Sequence, residues 1–554
     1  MNDFLYVDEP RYIFITGGVM SSLGKGLSAA CLGALLQARG FSVCIKKLDL
    51  YINIDPGTLS PYQHGEVFVT EDGTEADLDL GHYERYTGQN TGKQNYLTAG
   101  VVYSNLIQKE RRGEYLGVTV QVIPHVTDEI KRFITQDGGL FDFVIIELGG
   151  TVGDIEGGPF LEAVRQLRNE FGQPQTMFVH LTYVPNMRAT NEQKTKPTQH
   201  SVKDLLHAGI QPDLILCRTE LTLQESTKRK ISLFCNIPPD DVIAAQDETN
   251  LYKLPLNYSK EGLDERVCLH FGLSHKRHKI SEDWLQKWQV LNASLERPLA
   301  EVNVVIVGKY VEMEDSYKSL KEALVHAGGK HKTKVNIKWC NAETTVDIVE
   351  ALKGAEAIIV PGGFGNRGIE NKINAIRYAR ENNVPFLGIC LGMQLAIVEA
   401  MRNIGGIEDA NSTEFTRDCS PVICLMSEWN DDGGNTVVRS EESDIGGTMR
   451  LGAYKCQLLE GSLVEDVYGV SIISERHRHR YEFNSRRFGE KLEQTGTFMV
   501  GKSPDGSLVE IVERRDHTWF VGVQFHPEFK SKPLSPHPLF DSLIGKIAKK
   551  QFLL

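Results

Sequence analysis

The 554-residue sequence predicts an α/β protein built from two largely parallel-sheet α/β domains. Three observations carry that prediction. Apolar β-prone runs alternate with stretches of helical spacing in both halves, the pattern of sheets wound with helices. A glycine-rich loop joins one such run to a helix near the N-terminus, and a Gly-x-Cys-x-Gly turn does the same around Cys390. The expected boundaries are 1–280 for the first domain, 281–301 for a connecting helix and 302–554 for the second domain.

The first element is the run Tyr12-Ile13-Phe14-Ile15, which enters Thr16-Gly17-Gly18-Val19-Met20-Ser21-Ser22-Leu23-Gly24-Lys25-Gly26. Leu27, Ala30, Cys31, Ala34 and Leu35 then recur at helical spacing. Strand, glycine loop and helix in that order form a phosphate cradle, with backbone N–H groups and a helix N-terminus facing the anion. Lys25 would reach the terminal phosphates. The loop departs from the Walker A pattern: five residues separate Gly18 from Gly24, and Gly26 stands where a metal-binding Ser or Thr is usual.

If the loop cannot hold a metal, carboxylates elsewhere must. Glu71 to Leu80 is an acidic run, and Phe143-Val144-Ile145-Ile146-Glu147-Leu148 is a buried-type strand carrying a carboxylate near its end, followed by Gly149 to Glu156. A carboxylate there sits at the edge where α/β sheets bind ligands, and hard oxygen ligands suit magnesium. Asp77 and Asp79 also fit a solvated acidic loop. For Glu147 that reading is weaker, because a charge closing an apolar strand is costly unless paired. Lys194-Thr195-Lys196-Pro197-Thr198-Gln199-His200-Ser201 follows the run Phe178 to Leu181; it can hold a triphosphate or be a polar surface loop.

Ser281 to Leu295 carries Trp284, Leu285, Trp288, Val290 and Leu291 among charges, which predicts an amphipathic connecting helix. The second domain opens with the strand Val302–Gly308, a helix over Ser319–Ala327, and β-prone runs at Val335–Trp339 and Ala357–Val360. Pro385 to Met393 then reaches Cys390 between two glycines. Such a turn lifts a nucleophile out of a sheet, with N–H groups facing a developing oxyanion, although a cysteine in an apolar run can also be plain core. Val521 to Phe525 ends in His526-Pro527-Glu528, whose spacing puts imidazole and carboxylate on one side of extended chain. His526 can act as base for Cys390, and Glu528 can hold its tautomer. Val360-Pro361-Gly362-Gly363-Phe364-Gly365 is a source of a second oxyanion donor. Arg476-His477-Arg478-His479-Arg480 reads, by composition, as a solvated basic face.

Composition narrows the class. Apolar and charged contents of 41% and 24% are those of a soluble globular protein, and a net charge of −12 argues against a general nucleic-acid or anionic-membrane binder. No apolar run approaches the ~18 residues of a membrane span. Met1 to Pro10 lacks a basic start followed by a hydrophobic core, so the expected location is cytoplasmic. Ten cysteines without a Cys-x-x-Cys pair indicate neither a zinc module nor a disulfide framework.

The order glycine turn, cysteine elbow, His-x-Glu resembles a class I glutamine amidotransferase domain, which implies glutamine hydrolysis through a cysteinyl thioester. The released ammonia needs a consumer. Gly17-Gly18 through Gly24-Lys25-Gly26, Asp55-Pro56-Gly57-Thr58, Gln63 to Val67, Asp79 to Arg85, Gly149 to Glu156 and Lys194 to Ser201 together resemble the CTP synthase family, from about Arg11 to Phe540. The resemblance implies a P-loop-type synthetase domain before the amidotransferase domain, and ATP-dependent amination of UTP to CTP through 4-phosphoryl-UTP, in de novo pyrimidine nucleotide biosynthesis.

By the same resemblance, Ser21, Gly24, Lys25 and Gly26 contact nucleotide phosphates, while Asp79 and Glu147 hold Mg2+. Asp154, Ile155, Glu156, Lys194, Thr195, Lys196, Pro197, Thr198, Gln199 and Lys230 bind UTP, or CTP as feedback inhibitor. Arg218 and Asp247 lie near the ATP purine, and Gly363, Leu391, Gln394, Glu414 and Arg480 contact glutamine. GTP activation and a homotetramer are implied at family level. Two departures stand out: Leu50 precedes Tyr51 where the family usually has proline, and Thr87 to Lys93 is less basic than the family pattern. The rival readings are another amidotransferase-linked P-loop synthetase, of the cobyrinic acid amidating type, and a mainly structural filament-forming homologue. Lys194 to Ser201 and Gln63 to Glu66 speak against the first, and the intact Cys390, His526 and Glu528 against the second.

Overall fold

The computed structural model describes residues 9–187, 190, 192–274, 278–425, 428–430, 436–438 and 449–552. The reading of Met1 to Pro10 falls mainly on residues 1–8, outside the described residues. The chain forms two compact units, one made of Met1–Asp55 and Asp79–Asn292, the other of Pro56–Leu78 and Ala293–Leu554.

In the first unit the β-branched and aromatic runs become β1 (Arg11–Gly17), β2 (Val43–Asp49), β3 (Tyr96–Thr98), β4 (Phe143–Leu148), β5 (Thr176–Tyr183), β6 (Leu214–Thr219) and β7 (Val242–Gln246). They pair in the order β7-β6-β5-β1-β4-β2-β3, all parallel. β4 is buried at every residue, as a strand covered on both faces must be. Helices α1 (Lys25–Ala38), α2 (Asp79–Thr87), α3 (Lys196–His207), α4 (Glu225–Cys235) and α5 (Glu282–Glu296) belong to the same α/β pattern. The strand order sets Glu147 of β4 beside Ile15 of β1 and Lys47 of β2, so the functional loops leave one edge of the sheet together.

The second unit contains β8 (Ala300–Gly308), β9 (Thr333–Asn341), β10 (Ala357–Val360), β11 (Phe386–Ile389), β12 (Arg450–Leu458), β13 (Ile472–His479), β14 (Thr497–Lys502), β15 (Val509–Arg514) and β16 (Phe520–Val523). Their order is β9-β8-β10-β11-β16-β15-β14-β12-β13. Pairing is parallel up to β16, where helices α6 (Lys318–Lys330), α7 (Ile369–Glu381) and α8 (Leu391–Asn403) intervene in the chain, and antiparallel beyond it. A parallel crossover needs a dozen or more residues, whereas β14 and β15 are joined by a short turn that dictates antiparallel pairing. The C-terminal helix Pro538–Phe552 buries Leu539, Phe540, Leu543, Ile544 and Ile547 in this unit's core.

Residues 56–78, which the sequence places in the first domain, group with the second unit. Glu66 accepts from the Ser319 backbone N–H at 3.1 Å. Arg476 Nε lies 3.0 Å from Glu71 Oε1, and Arg478 Nε lies 2.8 Å from Glu75 Oε1. Two expectations are corrected by the structure. The run Arg476 to His479 is not a solvated basic face: Arg476, His477 and His479 are buried in β13. Nor do Asp77 and Asp79 lie in a solvated acidic loop: both are half-buried, 3.5 Å from His64 Nε2 and 2.5 Å from Lys47 Nζ respectively. Strand alternation explains the split. Arg476 and Arg478 meet the 56–78 segment, while His477 lies 3.8 Å from Glu510 among the buried Arg450, Glu482 and Glu510.

Candidate active sites

The second unit builds its site on the turn from β11 to α8. Cys390 caps α8 with φ 52° and ψ −103°, a left-handed conformation that non-glycine residues seldom adopt outside functional sites. Its N–H donates to Val523 O at 2.7 Å, pinning the elbow to β16. The flanking glycines are steric necessities: a Cβ on Gly392 would lie 2.0 Å from Val360 O, and one on Gly388 would lie 2.7 Å from the Gly392 backbone. The Cys390 thiol is buried, 3.7 Å from Arg478 O and 3.7 Å from the Gln524 amide nitrogen.

His526 follows β16, and its Nδ1 lies 2.7 Å from Glu528 Oε1, which leaves Nε2 for the thiol. Burial alone would lower the imidazole; the Glu528 carboxylate and then the Cys390 sulfur outweigh it and raise His526 to about 10. Gly362 lies against both groups, since a Cβ there would be 2.7 Å from His526 Cε1 and 3.5 Å from Cys390 Cβ. The turn beyond it is held by Lys309, which donates to Phe364 O and Gly365 O at 2.8 and 2.9 Å, and by Glu414, which accepts from Gly365 N at 2.6 Å. Gln394 donates to Tyr481 O at 2.9 Å, and burial raises the Glu414 carboxyl against the opposing pull of the Gly365 N–H, Lys309, Lys372 and Arg480. A cavity of about 200 Å³ opens beside Cys390 and His526, walled by Gly363, Lys309, Leu59 and Val67.

In the first unit, α1 starts at Lys25 after Gly24 at φ 89°. Lys25 Nζ donates to Gly150 O at 2.6 Å, joining the loop after β1 to the loop after β4. The departure at Gly26 has a direct cause: a Cβ there would lie 2.0 Å from Asp79 Oδ1, so the Asp79 carboxylate occupies the space a Ser or Thr would need. Lys47 Nζ bridges Asp79 at 2.5 Å and Glu147 at 2.9 Å, and Tyr83 donates to the other Glu147 oxygen. Burial and then the Asp79 charge push Glu147 up to about 7, against the pull of Lys47 and Lys25. Arg218 pairs with Asp247 at 2.8 Å and donates to Ser22 O at 2.7 Å, tying both to the glycine loop.

Comparison with known proteins decides the family. Residues 11–273 match the sequence model of the CTP synthase N-terminus, and residues 312–546 match that of class-I glutamine amidotransferases. The CTP synthase of Paramagnetospirillum magneticum is 55% identical over 546 residues, spanning 98% of this chain and 100% of its own. The chain belongs to the CTP synthase family. The CTP synthase of Maridesulfovibrio salexigens is likewise 55% identical, over 97% of this chain and 98% of its own. Among solved structures, the glutaminase domain of Trypanosoma brucei CTPS with bound acivicin is 35% identical, with a TM-score of 0.40, over 45% of this chain and 94% of that one.

The remaining candidates implied by resemblance to the CTP synthase family differ in exposure and in their partners. Lys194 pairs with Glu192 at 2.6 Å, and Lys230 of α4 also lies near enough to favour the Glu192 charge. Thr195 accepts from Gln199 at 3.0 Å, Thr198 meets Thr182 at 3.1 Å, and all three side chains are buried, whereas Lys196 and His200 are exposed and Lys194 is half-buried. Ser201 meets His180 at 2.7 Å, and His180 meets Thr16 at 2.8 Å, so a buried hydrogen-bond chain locks α3 to β1. Asp154 accepts from Thr151 N at 2.7 Å within its loop, where Ile155 and Glu156 are exposed, as is Ser21 on the loop after β1. Leu50 packs on this loop, its Cδ1 2.5 Å from where a Gly150 Cβ would stand. Glu84 of α2 ties down the 87–93 segment by accepting from Thr91 N and Oγ1, both at 2.8 Å.

The sequence reading gave no role to Lys47, Tyr83, Lys309 or Gln524. Lys47 was within reach, since a lysine inside the apolar strand Val43–Asp49 calls for a buried partner by the same argument that singled out Glu147.

Proposed function

We propose that the chain makes CTP from UTP, ATP and glutamine by coupling two half-reactions, with the residues above in the following roles. The observation that carries this is the pairing, in one chain, of a strained cysteine elbow with an oriented His–Glu pair and a phosphate loop whose lysine lies among buried carboxylates.

Cys390 attacks the glutamine carboxamide as a thiolate held against the His526 imidazolium. Glu528 fixes the Nδ1 proton, so the Nε2 proton is the one given to the departing ammonia; water then resolves the thioester by the reverse proton path. Backbone N–H groups of Gly363 and Leu391 face the oxyanion, while Glu414 and Arg480 hold the charged ends of the substrate and Gln394 orients it. The cavity walled by Leu59 and Val67 receives ammonia away from bulk water, which keeps it unprotonated.

In the synthetase half, Lys25 and the loop N–H groups position the ATP phosphates against the C4 oxygen of UTP. Lys194, Lys196 and Lys230 offer charge to the UTP triphosphate, and Arg218 with Asp247 flanks the ATP base. Asp79 and Glu147 fit magnesium, since they are hard oxygen donors already gathered around the cation of Lys47. The ion would supply charge neutralisation on the transferring phosphoryl group. GTP activation, CTP inhibition at the UTP site, a homotetramer and a cytoplasmic setting complete the reading. No helix among the described residues is long and apolar enough to cross a membrane.

Chromatography of UTP incubated with enzyme, ATP and magnesium tests the proposal, with glutamine and ammonium chloride compared as nitrogen sources. CTP is expected from both. CTP from neither, with folded protein and GTP present, overturns it.

A pH effect follows for Glu528→Gln. Without the carboxylate charge the raised imidazole pKa falls, so the thiolate–imidazolium pair is lost at a lower pH. The limb set by His526, near pH 10 in the wild type, is expected to move down in glutamine-driven synthesis, with kcat reduced roughly 10- to 100-fold and ammonium-driven synthesis unchanged. Paired pH–rate profiles with the two nitrogen sources check it.

A further inference from the structure

We propose that Lys372 is a positioning residue for glutamine hydrolysis: its buried amine lies behind the Gly362-Gly363 turn and supplies positive charge to the oxyanion and thiolate that form there. The inference rests on reading that turn and Cys390 as the glutaminase site. Lys372 stands near the start of α7, is fully buried, and its Nζ makes no hydrogen bond. Desolvating an amine without a partner is costly, and an apolar side chain of the same length would fill the space without that penalty.

The location indicates what the amine serves. Nζ lies 3.9 Å from where a Gly363 Cβ would stand, and the same point is 3.8 Å from Leu391 Cδ2. The amine therefore sits beside Gly363, one of the two residues proposed to face the oxyanion. Its neighbours are already committed: Lys309 to two carbonyls of the turn and Glu414 to the Gly365 N–H. Elsewhere on α7, Glu370 pairs with Arg402, Arg377 with Glu381, and Arg380 with Glu399 of α8. The charged groups facing Lys372 are Lys309 from the end of β8, Glu343 after β9, Glu414, and Cys390 at the head of α8. Burial, and then Lys309, lower the amine to about 7, while Glu343, Glu414 and Cys390 oppose the shift. Lys372 thus changes charge in the working pH range, and its protonated form is the one that supports developing negative charge.

Lys372→Met removes the charge at similar length, and Lys372→Arg keeps a charge at every pH. Both are assayed in the full chain for glutamine-driven and ammonium-driven CTP synthesis across roughly pH 6 to 9, which brackets the titration. The Met variant is expected to lose roughly 10- to 100-fold in kcat for glutamine, with KM for glutamine and ammonium-driven synthesis within about twofold of wild type. The wild-type rate should fall as pH rises through about 7, and the Arg variant should hold its rate above that point. His526, raised to about 10, titrates too high to produce that limb. A Met variant with unchanged kcat and pH profile, a loss confined to KM, or an equal loss with both nitrogen sources overturns the inference. Should the Met variant fail to fold, an unchanged alkaline limb in the Arg variant overturns it instead. Wild-type enzyme making no CTP from either source would overturn the underlying reading.

Discussion

Cys390→Ala removes glutamine-driven CTP synthesis, by at least about 10³-fold, and leaves ammonium-driven synthesis within about twofold of wild type. The size follows from chemistry, because the sulfur is the attacking atom: the Gln524 amide and the Arg478 carbonyl beside it are not nucleophiles, and His526 serves it as base. The selectivity follows from structure. The thiol's hydrogen bonds to Gln524 and the Arg478 carbonyl are long, both 3.7 Å, and add little to the fold. The bond from its backbone N–H to Val523 survives the substitution, and alanine meets the same positive-φ strain that cysteine already bears. A stability change of about 1 kcal/mol or less is expected, too small to disturb the other unit. The check is a matched pair of CTP assays with glutamine and ammonium chloride, alongside a thermal melt. Equal loss with both nitrogen sources would sink the two-site reading.

That elbow was legible because everything it needs is consecutive: strand, glycine, cysteine, glycine, helix. The glycine loop that opens α1 was legible for the same reason, and Glu147 because a carboxylate in an apolar strand breaks a local rule. The misreadings are all long-range. Arg476 and Arg478 looked solvated because their partners, Glu71 and Glu75, lie about 400 positions away in a segment expected in the other domain. Alternation could have shown that residues 476 and 478 share a face, but not what covers it. The absence of a Ser or Thr at Gly26 was legible, but its cause, the Asp79 carboxylate filling the Cβ position, was not. Thr198 and Gln199, implied by the resemblance to contact a nucleotide, hydrogen-bond to Thr182 and Thr195, pairings that composition alone does not give. Lys372 gave no signal, since a lysine four residues into a polar helix start is unremarkable until its burial is seen.

Lys25→Ala is expected to remove CTP synthesis from both nitrogen sources, by about 10²- to 10³-fold, while glutamate release from glutamine persists. At about 1.4 kcal/mol per factor of ten this is about 3–4 kcal/mol of transition-state stabilisation, a reasonable share for one buried cation on a transferring phosphoryl group. Two effects add in the same direction. The loop after β4 loses its 2.6 Å tie at Gly150, and Glu147 loses one of the two lysines that hold its pKa down. Glu147 is already raised from 4.5 to about 7, so its protonation favours the folded state below its unfolded value, and that advantage is lost as pH rises through about 7. With Lys25 gone the folded value rises further, and the variant should lose more stability between neutral and alkaline pH than the wild type does. Melting curves at two pH values read this independently of activity. Lys25→Met, which keeps the packing against Gly17, separates the charge from the fold. Substantial CTP synthesis by either variant would place the ATP phosphates somewhere other than the loop after β1.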